Sequence, residues 1–247
     1  MASRIARTLP LSAFVLHSYD WSESSLILDV FTREQGRIAV AAKGAKRPYS
    51  QLRAVLLPFQ RISLGLGRAP SDESESEVHN LRAAEWAGGP PMLSGAALFS
   101  GFYLNELLMR LLPRDDPHER LFDAYAESLR CLAEARDQEP VLRAFERRLL
   151  GELGYAPLLE HDAISGAPIE PGQRYMYEPD RGPVAVRGEH APPAALRGQT
   201  LLDIANDDYA RADTRDEARR LLRELIAHRL GGQTLHTRTV LKELQDL

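Results

Sequence analysis

The stretch AFVLHSYDWSESSLILDVFTREQGRIAVAAKGAKRPYSQLRAVLLPFQ, residues 13–60, decides the fold. Ala13–His17, Ser25–Thr32 and Arg37–Lys43 are short, partly β-branched runs bounded by turn residues, the signature of strands. Between the second and third, Glu34-Gln35-Gly36 suits a tight hairpin, with Gly36 supplying a positive φ. Lys43-Gly44-Ala45-Lys46-Arg47-Pro48 reads as an exposed basic loop, and Pro48 excludes a central strand there because it cannot donate to a ladder. Leu56–Leu66 reads as a further strand. Five or so short strands within residues 1–82 imply a small closed barrel.

From Ser94 the period of the apolar residues changes. SGAALFSGFYLNELLMRLL (94–112) is a strongly apolar helix ended by Pro113. Asp116-Pro117 is expected to open a second helix, with Asp116 as N-cap and Pro117 at the first helical position. That helix carries Leu121, Phe122, Tyr125, Leu129 and Leu132 at helical spacing. Pro140 starts a third, which Gly154 ends. Three helices with short connections form a bundle. Residues 155–198 hold seven of the sixteen prolines and few apolar runs. There Tyr175-Met176-Tyr177 can pair with Pro183–Val186 across a Pro179–Gly182 turn. Helices resume at Thr200 and at Thr214–Leu230, where Gly231-Gly232 break the chain before a last short helix carrying Val240, Leu241 and Leu244. The fold class is α+β, with domains at 1–82, 83–154, 155–198 and 199–247.

The formal net charge is −4, which argues against a simple nucleic-acid coating protein. Its distribution says otherwise. From Arg33 to Arg68 the chain holds eight basic residues against the single acid Glu34, a local net charge of +7. The run Ser71–Glu77, SDESESE, then reverses the sign. Such clustering fits either a solvated barrel surface or a nucleic-acid site.

Several chemistries have no signal. There is no phosphate-binding G-x-x-x-x-G-K-[ST] loop, no H-E-x-x-H pair and no G-x-S-x-G elbow. The one cysteine, Cys131, excludes a disulfide within the chain and a four-cysteine zinc site. It is read as a small buried hydrophobe of the second helix. No catalytic residue, cofactor or metal is expected. No run of about 18 apolar residues exists to cross a membrane, and the N-terminal apolar patch is too short for a signal peptide. The reading is a cytoplasmic protein.

The 13–60 stretch resembles the start of the RecO family of bacterial DNA repair proteins. The resemblance continues through FSGFYLNELLMRLLP (99–113), PVLRAFERRLLGELGY (140–155), SGAPIE (165–170) and HRLGGQTLHTRTVLKEL (228–244), in family order along nearly the whole chain. It implies an N-terminal OB-fold barrel, an α-helical bundle completed by the C-terminal helices, and a small zinc-finger-like insert. It further implies a nucleoid-associated recombination mediator that binds single- and double-stranded DNA and anneals complementary strands. Such a protein contacts the acidic, apolar-ended C-terminal tail of the single-strand-binding protein. With RecR, and in some bacteria RecF, it helps load RecA. A general OB-fold nucleic-acid adaptor, RNA included, with a helical partner-docking domain is the second reading.

An OB barrel holds strands in a basic groove along the phosphates, with aromatic rings under the bases. The candidates here are Arg33, Arg37, Lys43, Lys46, Arg47 and Arg53. Tyr49 stands inside the loop, as a stacking ring or as a cap on the barrel; Tyr19 and Trp21 are nearby in sequence. On the third helix, Arg143 and Arg147 flank an apolar stripe of Phe145, Leu149, Leu150 and Leu153. This is either a core helix or a groove for the acidic tail, with an arginine free for its carboxylate. The resemblance favours the groove, since Arg143 matches the arginine of the family's LRxFE segment.

Two features depart from the family. Many members bind zinc through four cysteines in the insert; here Asp162 and Ser165 occupy the first pair's places, and no cysteine lies between Arg174 and Ala191. The insert is therefore expected to be held by packing. The acidic run 71–77 stands where a shorter, less acidic loop is expected.

Overall fold

The structure, a computed structural model, describes residues 9–67, 78–188, 190–237 and 239–240. The acidic run 71–77, Arg68, and Leu241 and Leu244 of the expected last helix lie outside the described residues. The chain divides into two compact units, one within Met1–Glu134 and His236–Leu247, the other Ala135–Leu235.

In the first unit, β1 (Leu11–Asp20), β2 (Leu26–Thr32), β3 (Gly36–Ala42), β4 (Arg61–Leu66) and β5 (Val78–Trp86) close into a barrel in the order β1-β2-β3-β5-β4. Of its strand pairings only β3 with β5 is parallel, with Val40 beside His79. This is the OB-like barrel read from the sequence. Alternate side chains fill it, as strand geometry requires: Leu11, Ala13 and Val15 from β1, Leu28 and Val30 from β2, Ile38 and Val40 from β3, Ile62 and Leu64 from β4. The β2–β3 hairpin forms as expected. Gln35 N–H donates to Thr32 Oγ1 (3.0 Å), and that hydroxyl donates to the Gly36 carbonyl (2.9 Å). Gly36 has φ 71°, and a Cβ there would stand 1.9 Å from the Asp116 carbonyl oxygen. Neither the backbone angle nor the space admits a side chain.

Leu56–Leu66 is not one strand. A four-residue helix, α1 (Leu52–Val55), precedes Leu56, and the strand begins only at Arg61. Pro58 lacks a donor and Phe59 takes φ 67°, so the extended run is broken between them.

Two helices, α2 (Gly95–Leu111) and α3 (Glu119–Glu134), belong to the same unit. Phe14 and Phe31, on the outer barrel face, meet Phe122 of α3 at ring separations of 5.2 and 5.4 Å. Asn105 of α2 links the layers, donating to the Leu16 carbonyl (2.8 Å) and accepting from the Tyr125 hydroxyl (2.5 Å). The apolar character of α2 is thus that of a buried helix; no helix of the described residues is long and apolar enough to cross a membrane. The start of α3 lies later than Pro117. Asp115 N–H donates to the Arg37 carbonyl (3.0 Å), and Arg114 forms a bridge with Arg37, which holds this segment against β3. Asp116 accordingly does not cap the helix; its carboxylate faces His118 at 3.4 Å. Cys131 is half-buried rather than buried, with burial and the Glu127 carboxylate pushing its thiol pKa up.

The second unit holds α4 (Glu139–Glu152), β6 (Arg174–Glu178), β7 (Gly182–Ala185), β8 (Leu196–Arg197), α5 (Gly198–Ala205) and α6 (Ala212–Arg229). Both α4 and α5 pack on α6 around Phe145, Leu149, Ile204, Leu222 and Ile226. The expected hairpin forms, with Tyr175 opposite Ala185 and Tyr177 opposite Pro183. A third strand, β8, pairs with Arg174 and Tyr175.

Asp162 organises residues 161–168. Its Oδ1 accepts from Ile164 N–H (3.1 Å), Ser165 N–H (2.7 Å) and Ser165 Oγ (2.8 Å), and its Oδ2 from Ala185 N–H (2.6 Å). The bonds from Ser165, then those from Ala185 and Ile164, hold its carboxyl down at about 2. A zinc centre needs thiolates or imidazoles converging tetrahedrally. Asp162 and Ser165 bond each other and the chain instead. Among the described residues no group of three His, Cys, Asp or Glu side chains could hold a metal ion. These residues do not fit a zinc site.

Candidate nucleic-acid interface

The basic loop from Lys43 to Gln51 is a succession of tight turns. Arg47 N–H donates to the Gly44 carbonyl (3.2 Å), Ser50 N–H to Arg47 (3.0 Å) and Ala54 N–H to Gln51 (3.3 Å), which leads into α1. Its fixed point is Ala45, fully buried in the barrel core beside Leu56, with Leu52 and Val55 packed against the same core. The loop therefore closes one end of the barrel. Lys46 ties it to the β1–β2 turn: its N–H donates to the Ser24 carbonyl (3.0 Å), and its ammonium reaches the Ser22 carbonyl and Asp20 Oδ1, both at 3.1 Å.

On this support Lys43, Arg47 and Arg53 are exposed, and Tyr49 is 98% exposed. Lys43, Arg47, Pro48, Tyr49 and Ser50 line an open cleft of about 520 Å³. Trp21 and Tyr19, at the end of β1, are 56% and 48% exposed. Cations held on a fixed loop beside open aromatic faces can neutralise phosphates and stack bases without a covalent step.

The structure separates the other two barrel candidates from this group. Arg33 pairs with Glu119 (2.7 Å) and Asp123 (3.1 Å) of α3. Arg37 is half-buried on the outer face of β3, where it donates to the Met109 carbonyl (2.7 Å) and approaches Asp29 (3.4 Å). Asp29 itself is 3% exposed; burial raises its pKa, against the pull of Arg37 and Arg114.

Four of the candidates on α4, Arg143, Phe145, Leu149 and Leu150, face inward. Phe145, Leu149 and Leu150 are core residues of the second unit, and Arg143 is 2% exposed, bonded to Glu146 at 2.8 Å. Arg147 clamps Asp207 with two hydrogen bonds (2.9 and 2.6 Å), and Leu153 is half-buried. The stripe of Phe145, Leu149 and Leu150 is the inner face of a core helix, not an open groove. Helical spacing shows that a stripe exists, not which way it turns. Sequence reasoning also passed over Ala45, whose signal is a small apolar residue inside a basic loop.

Residues 8–87 match the family model for the N-terminal part of recombination protein O, and residues 92–239 the one for its C-terminal part. The chain belongs to the RecO family. The DNA repair protein RecO of Nitrosospira multiformis is 53% identical over 236 residues, which cover 95% of each chain. That of Aromatoleum aromaticum is 48% identical over 235 residues, again 95% of each. That of an Azoarcus species is 48% identical over 239 residues, 96% of each. Membership of a DNA repair family agrees with an OB-like barrel that presents a basic, aromatic loop.

Proposed function

We propose that the protein is a recombination mediator acting without covalent chemistry. It binds single- and double-stranded DNA, anneals complementary strands and, with RecR and in some settings RecF, helps load RecA onto strands coated by single-strand-binding protein. This places it in the cytoplasm, at the nucleoid. The observation that carries the reading is the loop of Lys43, Lys46, Arg47, Tyr49 and Arg53, fixed by Ala45 in the barrel core. Two strands repel through their phosphates, and a surface that neutralises both lowers the cost of bringing them together. The test is annealing of two complementary strands precoated with single-strand-binding protein. Acceleration by this protein supports the reading; a rate unchanged from the coated strands alone rejects it.

The acidic tail of the single-strand-binding protein is the proposed protein partner. With Arg143 engaged by Glu146, the accessible surface near α4 is at its C-terminal end. Arg147, Leu158 and Arg181 line a cleft of about 430 Å³ there. Leu150, Tyr155, Leu158 and Arg181 line an adjoining one of about 240 Å³. Exposed Leu158 and Tyr155 offer apolar contact, and Arg181, whose pair with Glu178 is solvent-exposed, can exchange that carboxylate for one of the tail. A labelled tail peptide should bind wild type and lose affinity for Arg181→Glu; equal affinity would put the tail elsewhere.

A further inference from the structure

A second cavity of the first unit lies apart from the residues of the basic loop. It measures about 700 Å³ and lies between the outer face of β1–β3, helix α2 and the segment at His236–Val240. Its lining joins planar and apolar groups, His17, Tyr19 and Phe102, to the guanidiniums of Arg37, Arg110 and Arg114. The negative groups on its walls are already engaged. Glu106 accepts from His236 N–H (2.7 Å), Thr237 N–H (2.9 Å) and the Thr237 hydroxyl (2.7 Å). Burial alone would raise the Glu106 pKa; these bonds outweigh it and hold the carboxyl below its usual range. Asp29 Oδ2 takes both Arg37 and Arg114, while the buried Asp29 Oδ1 has no hydrogen-bond partner among the described residues.

The end of β1 runs from this cavity to the turn that the basic loop grips. Lys46 touches Asp20 and the Ser22 carbonyl, and Trp21 lies between them. From Asp20 the exposed outer edge of β1 runs back through Tyr19 to His17, whose rings meet edge-on at 4.4 Å. Both rings line the cavity. Trp21, Tyr19 and His17 thus follow one another along the exposed segment between the residues that Lys46 grips and a cavity lined by arginines.

We propose that single-stranded DNA bound at the loop continues along β1, and that this cavity takes one unstacked nucleotide. This rests on the reading of the loop as a single-strand site. The base lies against His17, Tyr19 and Phe102, and its phosphate pairs with Arg110. An acidic peptide would also meet arginines and apolar walls; the exposed rings of His17, Tyr19 and Trp21 on one short segment favour a nucleic acid, whose bases stack on such faces.

The experiment uses the full chain and oligodeoxycytidylate probes of about 16 nucleotides, within the span one OB fold covers. In a probe set, 5-iodouracil replaces one base at successive positions, and photo-adducts are mapped by mass spectrometry. Adducts on the His17–Tyr19 peptide, at positions several nucleotides from those that mark Tyr49, support the proposal. Adducts at Tyr49 alone overturn it and leave the loop reading standing; no adducts and no binding would overturn both. In anisotropy titrations, Tyr19→Ala should weaken the 16-mer about fivefold or more, the loss expected for one stacked base. Arg110→Glu should weaken it while leaving a four-nucleotide probe unaffected. Wild-type affinity in both folded variants overturns the proposal. So does Arg110-dependent binding of a labelled acidic peptide with no effect on DNA, which would assign the cavity to a protein partner.

Discussion

The Arg37 guanidinium on β3 donates to the carbonyl of Met109, in the last turn of α2, at 2.7 Å. The end of a helix leaves carbonyls without partners, and a cation there satisfies one of them and opposes the helix dipole. Asp29 lies on the other side of the same guanidinium. Arg37 therefore joins barrel to helix. We expect Arg37→Ala to lower unfolding free energy by about 1.5–3 kcal/mol, the range for a hydrogen bond to a charged group. Arg33→Ala, which removes half-exposed pairs with Glu119 and Asp123, should cost under about 1 kcal/mol. Urea unfolding of both variants checks this; equal losses would contradict it.

On α4, Arg143 and Glu146 form an ion pair with side chains 3% and 0% exposed. Removing one partner strands the other charge in the core, which typically costs about 3–5 kcal/mol. Arg143→Ala should therefore lower stability by that order, whereas Arg143→Met with Glu146→Leu should recover most of it. Denaturant midpoints and slopes separate the cases. A stable, well-folded Arg143→Ala would show that the pair does not hold the helix in place.

Local pattern accounts for what the sequence revealed. The β2–β3 hairpin, α2, α4, α6 and the 174–185 hairpin each carry their own period, turn residue or cap, and each stands close to where it was expected. β5 carries no such signal: every residue of Val78–Trp86 is half-buried or exposed, and its pairing with β3 is non-local. Charge was the least legible feature. Arg33 finds Asp123 across 90 residues and Arg37 finds Met109 across 72, so both stand apart in space from the basic loop that they adjoin in sequence. Arg143 shows the same ambiguity within one helix, because an arginine beside an apolar stripe reads alike whether its partner is solvent, a peptide or a glutamate one turn away.

The Asp162 knuckle makes the insert acid-sensitive. Its carboxyl is held at about 2 in the folded protein, against about 3.9 when unfolded. A depressed pKa contributes stability that is fully present above the unfolded value and is lost as pH falls from about 4 through the folded value. Asp162→Asn cannot accept from Ala185 N–H through its amide nitrogen. The variant should be less stable than wild type at pH 6, and the gap should narrow as pH falls toward 2. A gap constant with pH would contradict the assignment. A strong chelator should leave the wild-type melting temperature unchanged, and its collapse on chelation would reveal a metal.

The most direct test of the central claim is the salt dependence of single-strand binding by the loop. A labelled oligonucleotide is titrated with wild type and with Lys43→Gln/Arg47→Gln/Arg53→Gln across a range of salt concentrations, with Arg33→Gln as the control. Each cation that pairs with a phosphate contributes about 0.7 to the slope of log affinity against log salt. The triple variant, folded, should bind all sequences more weakly and lose about 2 from that slope, while the control keeps the wild-type slope. A triple variant with wild-type affinity and slope would contradict it.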